Sequence, residues 1–258
     1  MNSPTPRHSI LAVIPARWGS TRFPGKSLAP IAGKPLIQWV TERVKLAGTL
    51  SGVLVATDDE RIAKAVEPLG VEAVMTNPDH PSGTDRIAEA IQGREADILI
   101  NVQGDEPLID PSLIDAVGAA LAGDDSWDMA TAATPIGEDR DVENPSIVKV
   151  VFDSEGAALY FSRSVIPYVR EKDAGMPEGQ PLYWRHIGIY GYRRSFLERL
   201  VREPPCQLEK AEKLEQLRAL YLGCRMKVIP TEDTGIGVDK PEDVERAERA
   251  LREAGMVK

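Results

Sequence analysis

Five short apolar runs separated by segments of helical period most constrain what this chain can fold into. Residues 10–14, 52–57, 71–75, 97–102 and 129–135 are continuous and apolar, as strands buried in a sheet are. Between them, residues 35–47, 60–69, 84–92 and 112–121 carry helical periodicity. The first of these helices has Pro35 at its start and Gly48 after its end, and Asp58-Asp59 can cap the second. This alternation predicts an α/β fold: a Rossmann-like mixed, mostly parallel sheet with helices on both faces. No internal repeat interrupts it.

From about Pro145 the texture changes. Residues 147–152, a turn at 153–156 and residues 157–161 read as a β-hairpin that residues 162–167 continue. Residues 171–181 are polar and rich in Gly and Pro, a mobile excursion. Residues 185–192 then alternate, placing His186, Gly188 and Tyr190 on one face. Residues 208–220 read as one helix with an apolar stripe at 214, 217 and 220. A last strand at 226–230 and a final helix at 241–254 follow. The expected organisation is a single domain, 1–258, with a flexible tail at 1–9 and a nucleotide-binding half at 10–144. A smaller β-rich lobe is expected at 145–200, and 201–258 returns to the main sheet.

Composition narrows the function. A formal charge of −9 argues against nucleic acid and anionic membranes as partners, so any attraction for an anion must be local. Cys206 and Cys224 are too few for a disulfide framework, and no apolar run is long enough to span a bilayer. A cytoplasmic protein is expected.

That local attraction lies in residues 14–26, directly after the first strand, where Arg17, Arg22 and Lys26 accompany Gly19 and Gly25. Open α/β sheets bind ligands at such strand ends, and this loop has the donors for a polyphosphate. It is not a P-loop: five residues separate Gly19 from Gly25, and Pro30, Gly33 and Pro35 would break the helix a P-loop must open. A second loop, His80 to Arg86, leads into a helix and can hold a base, a sugar or an anion, or be an ordinary N-cap. The fourth strand ends in Gln103-Gly104-Asp105-Glu106-Pro107, where Asp105 is placed for a hard cation and Glu106 is expected to face solvent. Asp239, just before the final helix, is a metal ligand or a cap.

Together these residues resemble the cytidylyltransferases that activate 3-deoxy-D-manno-octulosonate (Kdo), an acidic sugar of lipopolysaccharide. The resemblance rests on residues 14–17, 20–26, 82–86, 101–107, 160–163, 185–192, 214–218 and 237–243, spread in order along nearly the whole chain. Trp18-Gly19 stands where a tyrosine and a small residue are usual, and Lys213 and Lys240 replace neutral residues. The resemblance implies a nucleotide-diphospho-sugar transferase type of sheet and a homodimer, with the 145–200 lobe serving sugar binding and dimerisation. It implies that CMP passes from CTP to the anomeric hydroxyl of Kdo, with Lys26, Arg17, Asp105 and Asp239 as the catalytic set. Asp105 and Asp239 would hold Mg2+, a cation suited to carboxylate oxygens. CTP would meet Ala16, Arg17, Ser20, Arg22, Lys26, Ser82, Gly83, Arg86 and Gln103. Gln103, Arg163, His186, Tyr190, Glu215 and Gln216 would hold the sugar, and for Arg163 the physics agrees, since it can take a carboxylate bidentately.

Three rivals remain. A cytidylyltransferase for N-acetylneuraminate or 8-amino-Kdo would use the same loops. A glycosyltransferase would want an Asp-x-Asp motif, which Gly104-Asp105-Glu106 does not supply. A non-catalytic nucleotide-binding regulator would bind CTP without turnover.

Overall fold

The computed structural model describes residues 8–20, 22–171, 181–233 and 235–257. Its strands are β1 (Ile10–Ala16), β2 (Pro30–Ile31), β3 (Lys34–Pro35), β4 (Gly52–Thr57), β5 (Glu72–Met75), β6 (Ile98–Asn101), β7 (Met129–Pro135), β8 (Lys149–Phe152), β9 (Ala158–Ser162), β10 (Trp184–Arg193) and β11 (Met226–Pro230). Its helices are α1 (Leu36–Lys45), α2 (Glu60–Val66), α3 (Gly83–Ala90), α4 (Pro111–Gly123), α5 (Asp139–Glu143), α6 (Arg194–Leu200), α7 (Gln207–Glu212), α8 (Gln216–Tyr221) and α9 (Asp243–Glu253).

The main sheet has nine strands, in the order β11-β7-β10-β6-β1-β4-β5, with β8 against β10 and β9 against β8. Pairing along the path is parallel except at β10, which runs antiparallel to both β6 and β7. The mixed, mostly parallel sheet expected from the sequence is therefore present. Alternate residues of β1 serve two apolar cores. Ala12 and Ile14 pack with Leu36 and Val40 of α1, Val117 of α4 and Leu251 of α9. Val13 packs on the other side with Ile87 of α3, Leu197 of α6 and Leu217 of α8. Burial on both faces is why these strands are continuous apolar runs.

The antiparallel strand is where the segment 145–200 departs from expectation. The β8–β9 hairpin forms a small lobe, turning at Gly156 with φ 80°. β10, however, pairs with β8 only at Arg185 and Lys149, and then runs into the middle of the main sheet. An ideal Cβ on Gly191 would lie 2.8 Å from Val117 and 2.9 Å from Leu121, so glycine lets α4 press on the sheet there. The hairpin's second strand ends at Ser162 and does not continue to 167.

Residues 208–220 are not one helix. Lys213 takes a left-handed conformation (φ 55°, ψ 46°) that ends α7, and α8 begins at Gln216. A non-glycine residue in that conformation leaves no mark in hydrophobic periodicity. The final helix starts two residues later than expected, at Asp243. Of the expected tail, residues 1–7 lie outside the described residues, while Ser9 is held by Asp97 through its backbone N–H at 2.8 Å. Residues 172–180 of the expected excursion also lie outside the described residues.

Candidate active site

The carboxyl ends of β1 and β6 open onto one cleft of about 270 Å³. The first loop contributes Ala16, Arg17, Ser20, Arg22 and Lys26 to it, the second loop His80, Ser82, Gly83 and Arg86, and the β6 loop Gln103, Gly104 and Asp105. Asp239 closes the group from the far end of the chain. Every residue assigned from the sequence to CTP or to the metal therefore lines a single space. The two strand ends approach so closely that an ideal Cβ on Gly104 would sit 2.8 Å from the Pro15 carbonyl oxygen. Glycine is required at that point.

Lys26 is the hub. Its Nζ donates to Asp105 Oδ2 at 2.6 Å and to Asp239 Oδ1 at 3.3 Å. Arg22 reaches the same Asp239 oxygen at 3.1 Å. Asp239 is not a helix cap: the Asp243 carboxylate accepts the N–H groups of Asp239 and Lys240, leaving the Asp239 side chain to the cleft. Two carboxylates more than a hundred residues apart in sequence thus converge on one cation, an arrangement of hard oxygen donors that fits magnesium. Among the described residues no three His, Cys, Asp or Glu side chains are grouped to enclose a metal. Magnesium held by two carboxylates takes its other oxygens from water and phosphates.

Glu106 does not face solvent. It is partly buried, and its Oε1 lies 3.8 and 3.9 Å from where Cβ atoms on Gly188 and Gly235 would stand. Burial pushes its carboxyl up to about 8, the Asp105 and Asp233 charges add to this, and Arg185 opposes it. The residues around it carry no signal for this, because Gly188 comes from β10 and Gly235 from the segment after β11.

The second loop is held from behind. Ser82 caps α3 by accepting from the Asp85 N–H at 3.2 Å. Its hydroxyl also lies 3.0 Å from Glu215 Oε1, and Thr84 donates to Glu215 Oε2 at 2.8 Å. Arg218 balances the charge of Glu215 at 2.9 Å. The helix break at Lys213 is what turns Glu215 toward this loop. Arg86 is 2% exposed, held by Thr76 and by Asp58 at 3.1 Å, so its contact with the cleft is only marginal.

Of the residues assigned to the sugar, Gln103 lines the cleft, His186 and Tyr190 lie on β10, Arg163 follows β9, and Glu215 and Gln216 stand at the start of α8. Gly188 places Gln103 Cγ 3.7 Å from its ideal Cβ position. The His186 ring stacks 5.4 Å from Tyr190 and edge-on to Phe161 at 5.0 Å. A register shift in β10 between Ile187 and Tyr190 frees the Ile189 carbonyl, which takes the Thr131 hydroxyl at 2.7 Å. With its proton so used, that hydroxyl accepts from His186 Nε2, 2.9 Å away. Burial pushes the His186 imidazole down to about 3, and it is neutral in the working pH range. Arg163 donates from Nε to the Glu212 carbonyl at 2.7 Å and from Nη1 to the Pro145 carbonyl at 3.0 Å. That leaves its Nη2 edge for a ligand. Gln216 is buried at 5% exposure, with no hydrogen bond recorded from its side chain among the described residues.

Residues 11–229 match the family model described as Cytidylyltransferase. The chain is 50% identical over 249 residues to a 3-deoxy-manno-octulosonate cytidylyltransferase from Geobacter sulfurreducens, covering 95% of this chain and all of that one. It is 48% identical over 249 residues to the protein of the same name from Bdellovibrio bacteriovorus, covering 96% of this chain and 99% of the other. Among solved structures it superposes on a CMP:2-keto-3-deoxy-manno-octonic acid synthetase complexed with CTP, with a TM-score of 0.89 and 42% identity over 95% of this chain and 99% of that one. The chain belongs to the 3-deoxy-manno-octulosonate cytidylyltransferase family.

Proposed function

We propose that this protein transfers CMP from CTP to the anomeric hydroxyl of Kdo, releasing pyrophosphate and supplying the activated sugar for lipopolysaccharide. The observation that carries this reading is the cleft that unites both loop cations and the two converging carboxylates, in a chain of this family. Arg17, Arg22 and Lys26 bind the triphosphate by charge-assisted hydrogen bonds. Ser82 and Gly83 hold the nucleoside end. Gln103, Arg163, His186, Tyr190, Glu215 and Gln216 serve the sugar, Arg163 through the carboxylate of Kdo and Glu215 by fixing the second loop.

The anomeric hydroxyl, giving up its proton to water, attacks the α-phosphorus in line. The new O–P bond forms as the bond to the β-phosphate oxygen breaks, and pyrophosphate leaves with the electron pair. Asp105 and Asp239 would hold magnesium, which when bound supplies a hard divalent charge beside the phosphate oxygens. Lys26, released from the carboxylates, meets charge that builds on the leaving oxygens.

The protein is proposed to act in the cytoplasm, where its two free cysteines, Cys206 and Cys224, stay reduced. It is proposed to be a homodimer joined through the 145–200 region. Leu159, Val165 and Tyr168 are exposed there, and a second copy would cover them. Phosphorus NMR tests the chemistry: with Kdo, CTP and magnesium, the three CTP signals should give way to one phosphodiester signal and pyrophosphate. Persistence of the CTP signals would contradict the proposal.

A further inference from the structure

We infer that Asp58 is a positioning residue that ties the two nucleotide loops into one rigid unit, an inference that rests on the CTP-binding reading above. Asp58 follows β4, immediately beside β1 in the sheet, and its side chain is only 10% exposed. One carboxylate oxygen accepts the Trp18 N–H at 3.0 Å. The other accepts from Arg86 Nη2 of the second loop at 3.1 Å. Arg86 Nη1 donates to Thr76 Oγ1, whose own hydroxyl donates to the Thr57 carbonyl at 3.0 Å. The chain of bonds thus begins and ends on adjacent residues, Thr57 and Asp58. Thr57, Thr76 and Arg86 are buried, Asp58 and Trp18 are partly so, and each polar group in the chain of bonds has its partner, which limits the freedom of the unit to loosen.

Trp18 carries this restraint into the first loop. Its carbonyl accepts the N–H groups of Ser20 at 2.9 Å and Gly25 at 3.1 Å. Its ring fills the space over Gly25, where a Cβ would stand 2.9 Å away, and the Arg61 guanidinium covers it at 3.4 Å. Asp59 fixes Arg61 by a forked pair, which holds the Asp59 carboxyl down at about 2. The pair of aspartates after β4 therefore divides its work. Asp59 caps α2 and aims Arg61 at the ring, while Asp58 holds the Trp18 backbone. The loop between Trp18 and Gly25 carries Ser20 and Arg22, and Lys26 follows it. None of the Asp58 carboxylate lines the cleft.

The consequence is a separable effect on nucleotide affinity. Asp58→Asn keeps an acceptor for the Trp18 N–H and loses the charge facing Arg86, whereas Asp58→Ala loses both. The Kd for CTP, measured by calorimetry, should rise roughly 10-fold in Asp58→Asn and more in Asp58→Ala. KM should rise for CTP while KM for Kdo stays within about two-fold, and kcat at saturating CTP should be largely kept. A purely structural role would lower the melting temperature and the active fraction without raising KM for CTP. Unchanged CTP affinity in a folded Asp58→Asn, or equal rises in both KM values, would overturn the inference. Failure of the wild-type protein to bind CTP would instead overturn the reading beneath it.

Discussion

Asp105→Ala should give a folded protein whose kcat is lower by on the order of 1,000-fold or more, because a metal supplies several kcal/mol of transition-state stabilisation and each 1.4 kcal/mol is tenfold. Asp239→Ala should behave the same way. Neither residue caps a helix or lies in the apolar core, and both give their side chains to Lys26. Circular dichroism should therefore report a native fold in each variant. Binding of Mn2+ in the presence of CTP, followed by electron paramagnetic resonance, should weaken in both. Full turnover by Asp239→Ala at millimolar magnesium would remove that residue from the metal site.

The second large effect is expected at Lys26. Its ammonium serves two partners in sequence, first the two carboxylates and then the phosphates. Lys26→Ala should lose roughly 100- to 1,000-fold in kcat, the usual cost of removing one donor to developing charge. It should also bind Mn2+ more tightly than the wild type when no nucleotide is present, since the competing cation has gone. A drop in activity with no gain in nucleotide-free metal binding would show that Lys26 does not compete for the carboxylates. The gain itself should shrink as ionic strength rises, because Asp239 is about half exposed.

The sequence made the parallel half of the sheet legible because its inner strands are buried on both faces and read as continuous apolar runs, while β5 at the edge is partly exposed. Residues 98–101 lie at its centre with every side chain covered. The loop chemistry was legible for a different reason: cations, glycines and aspartates at strand ends have few other uses. What stayed hidden depends on long-range placement. β10 reads as an ordinary alternating strand, and nothing local says that it enters the sheet between β6 and β7. The break at Lys213 turns Glu215 toward Ser82 and Thr84, more than a hundred residues away, and those partners are not visible from the local sequence. Glu106 is turned from surface to interior by Gly188 and Gly235. Asp58 looked like a spare cap next to Asp59, although only one of two adjacent aspartates can cap a single helix. That surplus was the one signal in the sequence for the tie between the loops.

The most direct test of the central claim is pyrophosphate release with CTP and magnesium, comparing Kdo, N-acetylneuraminate and no sugar. The account predicts release with Kdo, and little with N-acetylneuraminate or with CTP alone. Release only with another acidic sugar would keep the chemistry and contradict the assignment of the β10 and Arg163 region to Kdo. CTP binding with no release under any of the three conditions would contradict the catalytic reading altogether.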